Sequence, residues 1–339
     1  MSLPEAFRGQ ARSCAALGSP FMERLMDLMA DRLSPDHGAV AARLFGWAGD
    51  PSSRHGSLPL RLAGGLHALR LQGRAGLAEV YPPNDAGPDT LWDAVSAALR
   101  NEAAFLLDWV ESAPQTNEVR RSAVLRAAGQ WLAARHGVPL EMRELGASAG
   151  LNLWWDRFAL EAGGRRFGPG DAVLTLAPEW HGPQPAEVEP VIVDRRGVDL
   201  NPLSPEDDAV RLRAYLWPDQ HERMARTEAA LRLPPAPVDR GCAADWLEAM
   251  GPPERGRLRL ICHTVAWQYF SDAVQARAEA AIEAMGRAAS DDAPVAWLSM
   301  EAEDDEPGAV LRLRIWPGGE RQYAGRADFH GRWIRWGLA

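Results

Sequence analysis

One segment constrains the fold of this chain more than any other: residues 140–156, LEMRELGASAGLNLWWD. An apolar run leads into small residues and a second apolar run, a pattern that predicts a strand, a tight turn and the start of a helix. Two interpretations fit. In one, Glu144 and the small residues after it form a loop for a nucleoside cofactor. In the other, Gly146 to Gly150 is the G-x-S-x-G elbow of a serine hydrolase, with Ser148 as nucleophile.

Composition excludes several functions. The net charge of −9 argues against a nucleic-acid surface, and all 37 basic residues are Arg. Without Lys, the chain cannot form a Schiff base, hold pyridoxal phosphate covalently or build a G-K-[ST] phosphate loop. Cys14, Cys242 and Cys262 are widely separated, so we expect a reducing compartment and no zinc or other metal site. The chain shows neither a signal peptide nor a bilayer-length apolar run, so we expect a cytoplasmic protein without a membrane partner.

The pattern of apolar residues changes near Pro139. Residues 1–137 show helical periodicity and predict an α-helical N-terminal domain. From residue 138 to 339, apolar strands alternate with helices, which predicts an α/β domain with a mostly parallel sheet and an antiparallel closing pair of strands. We expect a helix over Gly150–Leu160 and an insertion at 161–189, where Gly and Pro are frequent.

The hydrolase interpretation requires an acid and a His after Ser148. Asp199 or Asp245 supplies the acid in this hypothesis, and His263 or His330 the base. Two features oppose it. A hydrolase elbow normally follows several strands, whereas the upstream residues predict helix and loop, and no late His has an obvious acidic partner.

The cofactor interpretation places Glu144 at the end of the first strand. Gly146, Ala147, Ser148 and Gly150 are small enough for the backbone to approach a ligand closely. Ser148 replaces the third glycine of a dinucleotide loop, a change that S-adenosylmethionine tolerates better because it has no phosphate. A tight turn that binds nothing is the structural alternative.

Two further segments resemble motifs of Rossmann-like methyltransferases. GVDLNP resembles their second-strand motif, which implies that Asp199 accepts hydrogen bonds from the ribose hydroxyls. RGCAADWL resembles their third-strand motif, which implies that Asp245 accepts from the adenine amino group and Trp246 stacks on the ring. The alternatives are capping or turn roles for the two acids and a core position for Trp246.

The fourth strand, LRLICH, delivers a polar and aromatic cluster to the same edge of the sheet. We predict that His263 is a general base and that Trp267 and Tyr269 line the substrate pocket. A structural His, with both nitrogens bonded, is the alternative interpretation.

A polar segment in the N-terminal part, QTNE, opens a helix. We predict that Thr116, Asn117 and Arg121 belong to a lid that contacts substrate. An ordinary capped helix explains the same residues.

Taken together, ELGASAGLNLWWDRF, RRGVDLNPL, WPDQHERM, HTVAWQYF and PQTNEVRRSAVL resemble a bacterial family, domain of unknown function 2332. The resemblance spans nearly the whole chain and implies a methyltransferase-like sheet without naming a reaction. We therefore predict a Rossmann-like α/β domain that uses S-adenosylmethionine to methylate a small-molecule substrate. The alternatives are an inactive protein of this fold that binds a nucleoside or a partner protein, and the serine hydrolase.

Overall fold

The computed structural model describes residues 1–53, 55–304 and 306–339. Its α-helices are α1 (Leu3–Ala16), α2 (Pro20–Arg32), α3 (Ala39–Phe45), α4 (Leu58–Leu71), α5 (Pro88–Asn101), α6 (Ala103–Glu111), α7 (Ser122–His136), α8 (Ala209–Ala214), α9 (His221–Ala230), α10 (Ala243–Glu248) and α11 (Asp272–Arg287). Its strands are β1 (Leu140–Leu145), β2 (Phe158–Ala162), β3 (Arg165–Phe167), β4 (Leu174–Leu176), β5 (Glu179–His181), β6 (Ile192–Asp199), β7 (Val238–Arg240), β8 (Leu258–Thr264), β9 (Val295–Glu301), β10 (Ala309–Trp316), β11 (Glu320–Ala327) and β12 (Trp333–Trp336).

The chain divides into two compact units. The helical unit comprises Met1–Thr116 and Glu206–Ala225, and the sheet unit comprises Asn117–Pro205 and Arg226–Ala339. This division differs from the predicted boundary at residue 137. Helix α7 belongs to the sheet unit because its buried side packs there: Ser122 Oγ donates to Asn152 Oδ1 at 2.7 Å, and Gly129 leaves room for the Trp155 ring.

The helical unit is built from amphipathic helices with capped ends. Helix α1 begins with a capping box in which Ser2 and Glu5 bond each other's backbone N–H groups. The returning segment, 206–225, is tied to the start of α2, because Asp219 accepts from Ser19 Oγ at 2.5 Å and from the Phe21 N–H at 2.9 Å. Within the described residues, no helix has the length and apolar character that crossing a bilayer requires.

In the described residues of the sheet unit, nine strands form a sheet in the order β5-β12-β11-β10-β9-β8-β1-β6-β7. The strands from β9 to β7 in this order are all parallel, whereas β10 runs antiparallel to both β9 and β11. The chain is thus a mixed α/β protein with a large, mostly parallel sheet, as predicted. Strand β8 is buried along its whole length, and four of its seven residues, LRLICHT, are apolar.

The segment between β1 and β6 corrects one prediction. The helix expected over 150–160 is a 3-10 helix, Leu151–Arg157, followed directly by β2. Gly150 at φ +70° and the non-helical Trp154 prevent a regular helix. Strands β2, β3 and β4 form a small separate sheet, and β5 joins the edge of the large sheet beside β12. The predicted insertion at 161–189 therefore contains short strands of both sheets.

Candidate functional site

The candidate site lies where the order of the strands reverses. From β1 the chain places β6 and β7 on one side, then crosses to place β8 and β9 on the other. Parallel α/β sheets bind ligands at such a switch point, beyond the carboxyl ends of the strands. Here those ends are Leu145 of β1 and Thr264 of β8.

The loop after β1 passes very close to the turn after β8. Gly146 has φ +68°, and a Cβ built on it would lie 2.5 Å from Cβ of Ala266. The N–H groups of Gly146 and Ala147 both donate to the carbonyl of Val198, at 2.9 and 3.1 Å. Gly150 also has a positive φ, of +70°. Glycine suits positions 146 and 150 because both have a positive φ, and at Gly146 it also leaves room for Ala266. Ala147, which lies between them, has the small side chain that the close packing of this loop allows.

Ser148 joins this loop to the end of β6. It holds a left-handed conformation, with φ +54°, that is uncommon for a residue other than glycine. Its N–H donates to Asp199 Oδ2 at 2.9 Å, and the other oxygen of Asp199 accepts from the Asn201 N–H at 2.8 Å. The acid at the end of β6 therefore fixes the conformation of the loop after β1.

Glu144 is a buried acid at the centre of the site. Its side chain is 2% exposed, and Oε2 has no hydrogen-bond partner among the described residues. Burial raises the pKa of Glu144 to about 8, and the negative charge of Asp199 contributes in the same direction. The nearby guanidinium of Arg121 acts in the opposite direction on this pKa. Glu144 therefore takes up a proton readily and would be stabilised as an anion by a cationic ligand.

Two of the three predicted lid residues reach this edge of the sheet. Asn117 Oδ1 accepts from the Leu151 N–H at 3.0 Å, just beyond the glycine loop. Arg121 donates through Nη1 to the carbonyl of Thr264 at 3.0 Å and through Nε to that of Phe329 at 2.8 Å. Thr116, by contrast, belongs to the helical unit.

His263 is buried, and both of its ring nitrogens have partners. Nε2 lies 3.0 Å from Nε1 of Trp297, and Nδ1 lies 2.7 Å from Oε1 of Glu301. Because an indole N–H can only donate, Nε2 accepts, so the imidazole is neutral and its proton is on Nδ1. Neither nitrogen is available to the general-base role predicted for this residue.

The two aromatic residues predicted to line the pocket have different environments. Trp267 stacks on His263, with ring centroids 4.7 Å apart, and packs partly buried against Trp297. Tyr269 is 69% exposed. Trp267 is therefore part of the packed wall behind the site, and Tyr269 is open to solvent.

The residues predicted to bind adenine lie on helix α10 rather than at the end of β7. Asp245 pairs with Arg277 at 2.6 Å, and its side chain is 65% exposed. The indole N–H of Trp246 donates to Asp239 at 2.7 Å. Gly241 and Cys242 come between the strand and the helix, so both predicted residues follow the end of β7 in the chain instead of forming it.

The structure does not assemble a catalytic triad around Ser148. Its Oγ is buried without a hydrogen-bond partner among the described residues, so no histidine there is within bonding distance. The strained φ of Ser148 resembles that of a nucleophile elbow, but in the described part of the chain no base bonds its hydroxyl.

Glu301 is a residue of the candidate site that the sequence motifs did not predict. It is the last residue of β9 and 7% exposed, and its Oε2 has no partner among the described residues. The signal that identified Glu144, an acid that ends an apolar strand, is also present in VAWLSME.

Fold and site together define a mixed α/β protein with a candidate ligand site at the carboxyl edge of its parallel strands. The chain belongs to the bacterial family described as "Uncharacterized protein conserved in bacteria (DUF2332)", whose model matches residues 4–336. No curated protein matches the chain. A solved structure described as "DhpI-SAM-HEP complex" is similar at 14% identity, over 60% of this chain and 75% of that chain, with a TM-score of 0.21.

Proposed function

We propose that this chain binds S-adenosylmethionine at the carboxyl ends of β1, β6 and β8 and transfers its methyl group to a small-molecule acceptor. Glu144 is the observation that carries the proposal, as a buried acid with an unpartnered oxygen and a pKa raised to about 8. A buried carboxylate is stable only when a positive group or several hydrogen bonds compensate it. The ammonium group of S-adenosylmethionine carries the positive charge that would balance an ionised Glu144.

The charges around the site favour a cationic cofactor over a phosphorylated one. Glu144, Asp199 and Glu301 all lie at the ends of strands that border the loop and turn. The negative charge of Asp199, and that of Glu144 once it ionises, would repel the pyrophosphate of a dinucleotide and attract a sulfonium or an ammonium group. A Rossmann-like methyltransferase sheet is consistent with this preference, since its strand order places the site at the same switch point.

Asp199 has the chemistry to bind the ribose. A carboxylate accepts about four hydrogen bonds, and the N–H groups of Ser148 and Asn201 supply two of those that Asp199 receives. In this proposal Asp199 both shapes the loop and binds hydroxyls. Asp245 has no part in it, because that side chain is exposed and paired with Arg277.

When bound, S-adenosylmethionine supplies a methyl group on a positively charged sulfur. Transfer requires mainly an aligned acceptor and a fitted pocket. Glu144 and Asp199 would fix the cofactor, and the turn Val265–Trp267 would bound the pocket beside the glycine loop. We assign no general base, because the imidazole of His263 is bonded at both nitrogens.

The same observation on His263 favours a second candidate, a protein of this fold that binds a nucleoside without turnover. The two candidates share the cofactor site and differ only in whether a methyl group leaves it. Turnover of S-adenosylmethionine in the presence of candidate acceptors separates them.

The proposed cofactor is tested by calorimetry with S-adenosylhomocysteine. We expect micromolar binding to the wild type and clearly weaker binding to Glu144→Gln, which removes the negative charge while keeping the shape. Asp245→Asn is the matched control and should bind as the wild type does. Folded protein that shows no heat of binding at millimolar ligand would contradict the proposal.

A further inference from the structure

One carboxylate from the neighbouring strand holds the turn that follows β8. Glu301 Oε1 accepts from the N–H groups of Ala266 at 3.0 Å and Trp267 at 3.1 Å, in addition to Nδ1 of His263 at 2.7 Å. A single buried oxygen thus fixes two consecutive backbone amides and one side chain.

The turn needs this support because its first residue is strained. Val265 has φ +54°, which is a genuine outlier for a β-branched side chain. Such a conformation persists only where the surroundings determine it. Here the Val265 N–H donates to the carbonyl of Met300 at 2.8 Å, and Gln275 Nε2 donates to that of Trp267 at 2.9 Å.

The turn is also a wall of the candidate site. Cβ of Ala266 occupies the space that a Cβ on Gly146 would need, so the turn and the glycine loop are in direct contact. Protein interiors transmit small displacements because they are close-packed. A change in the turn would therefore change the loop that follows Glu144.

We propose that Glu301 is a positioning residue, whose carboxylate holds the Val265–Trp267 turn in the conformation that shapes the ligand site. The inference rests on the proposed function for the identity of the ligand. The hold of Glu301 on the turn does not depend on that ligand.

The test compares two substitutions at Glu301 with a buried carboxylate elsewhere. Glu301→Ala removes the acceptor and should bind S-adenosylhomocysteine at least about tenfold more weakly than the wild type. Glu301→Gln keeps an acceptor oxygen and should stay within about threefold of the wild type, since shape and acceptor are retained. The control is Glu141→Gln, which disturbs a buried ion pair with Arg259 near the amino end of β1 and should change stability without changing affinity.

Near-ultraviolet circular dichroism supplies a readout that loss of stability alone would not change. The Trp267 and Trp297 rings lie 5.6 Å apart, so a displaced turn alters their coupled signal. We expect a changed signal in folded Glu301→Ala and a wild-type signal in Glu301→Gln and Glu141→Gln. An unchanged signal in Glu301→Ala, or equal losses of affinity in Glu301→Ala and Glu141→Gln, would overturn the proposal.

Hydrogen exchange on the wild type tests the proposal even if the Glu301→Ala variant does not fold. The amides of Ala266 and Trp267 should exchange as slowly as those of buried strands. Exchange as fast as in exposed loops would refute the role of Glu301. If the wild type fails to bind S-adenosylhomocysteine while these amides are protected, the proposed cofactor is wrong and the hold on the turn stands.

Discussion

The backbone N–H of Ser148 donates a hydrogen bond of 2.9 Å to Oδ2 of Asp199, so the acid that ends β6 holds the loop that follows β1. This bond gives Asp199 a structural role in addition to its proposed contact with the ribose. Replacing Asp199 should therefore affect both the conformation of the loop and the binding of the ribose.

Asp199→Ala should weaken the binding of S-adenosylhomocysteine by about 1.5–3 kcal/mol, the usual range for hydrogen bonds to a charged group. Asp199→Asn should lose less, because its amide oxygen still accepts a hydrogen bond. Calorimetry measures both. Asp194→Ala is the matched control, since Asp194 lies on the same strand with a half-exposed side chain that pairs with Arg143. Equal affinities for Asp199→Ala and the wild type would remove Asp199 from the site.

The raised pKa of Glu144 predicts a dependence of stability on pH. An acid whose pKa is about 8 when folded and 4.5 when unfolded stabilises the fold fully below about pH 4.5. That contribution is lost as the pH rises through 8, because the folded protein must then keep a buried charge. Glu144→Gln should therefore be more stable than the wild type above pH 8, and the difference should shrink towards pH 5 in denaturant titrations.

The same pKa predicts how ligand binding depends on pH. A cationic ammonium favours the ionised form of Glu144, so binding below pH 8 should release a proton. The affinity for S-adenosylhomocysteine should rise between pH 6 and 8, by at most about tenfold per unit for one proton. Calorimetry in two buffers of different ionisation enthalpy measures the release. A proton release that persists in Glu144→Gln would assign it to another group.

Much of the sheet could be predicted because its strands are apolar runs bounded by turn residues. The predicted strand LRLICH, Leu258–His263, corresponds to β8 to within one residue at its end. Parallel strands also place their carboxyl ends at one edge, so Glu144 and Asp199 could be expected near each other before the structure was known.

Other features depended on tertiary contacts that no local pattern encodes. The return of 206–225 to the helical unit rests on Asp219, which bonds residues about 200 positions away. The three hydrogen bonds of Glu301 join β9 to the turn after β8, and nothing in VAWLSME indicates them. The resemblance of RGCAADWL to a third-strand motif associated Asp245 with the end of a strand, whereas the residue lies on α10.

Ser148→Gly separates a loop role from a nucleophilic one. Glycine adopts φ +54° without strain, and the lost hydroxyl has no partner among the described residues. The substitution should therefore raise the free energy of unfolding by about 0.5–2 kcal/mol, the strain cost less the entropy of glycine. Ser122→Ala is the contrasting case and should lower it by about 1 kcal/mol, since Ser122 Oγ bonds Asn152.

A fluorophosphonate probe completes that comparison. The wild type should remain unlabelled, because none of the described residues offers a base that bonds the Ser148 hydroxyl. Labelling of the wild type that disappears in Ser148→Gly would restore the serine hydrolase interpretation and remove the methyltransferase proposal.

His263→Ala should destabilise the protein while largely sparing the cofactor site. The substitution leaves the indole N–H of Trp297 without its acceptor and opens a cavity beneath Trp267, which together lower the free energy of unfolding by about 2–4 kcal/mol. Glu301 would still accept from the amides of Ala266 and Trp267, so the affinity for S-adenosylhomocysteine should change by less than about threefold. Denaturant titration measures stability, with His181→Ala on an exposed edge strand as the control that should change it by less than about 0.5 kcal/mol. A His263→Ala protein as stable as the wild type would show that the buried network is not structural and would return His263 to consideration as a general base.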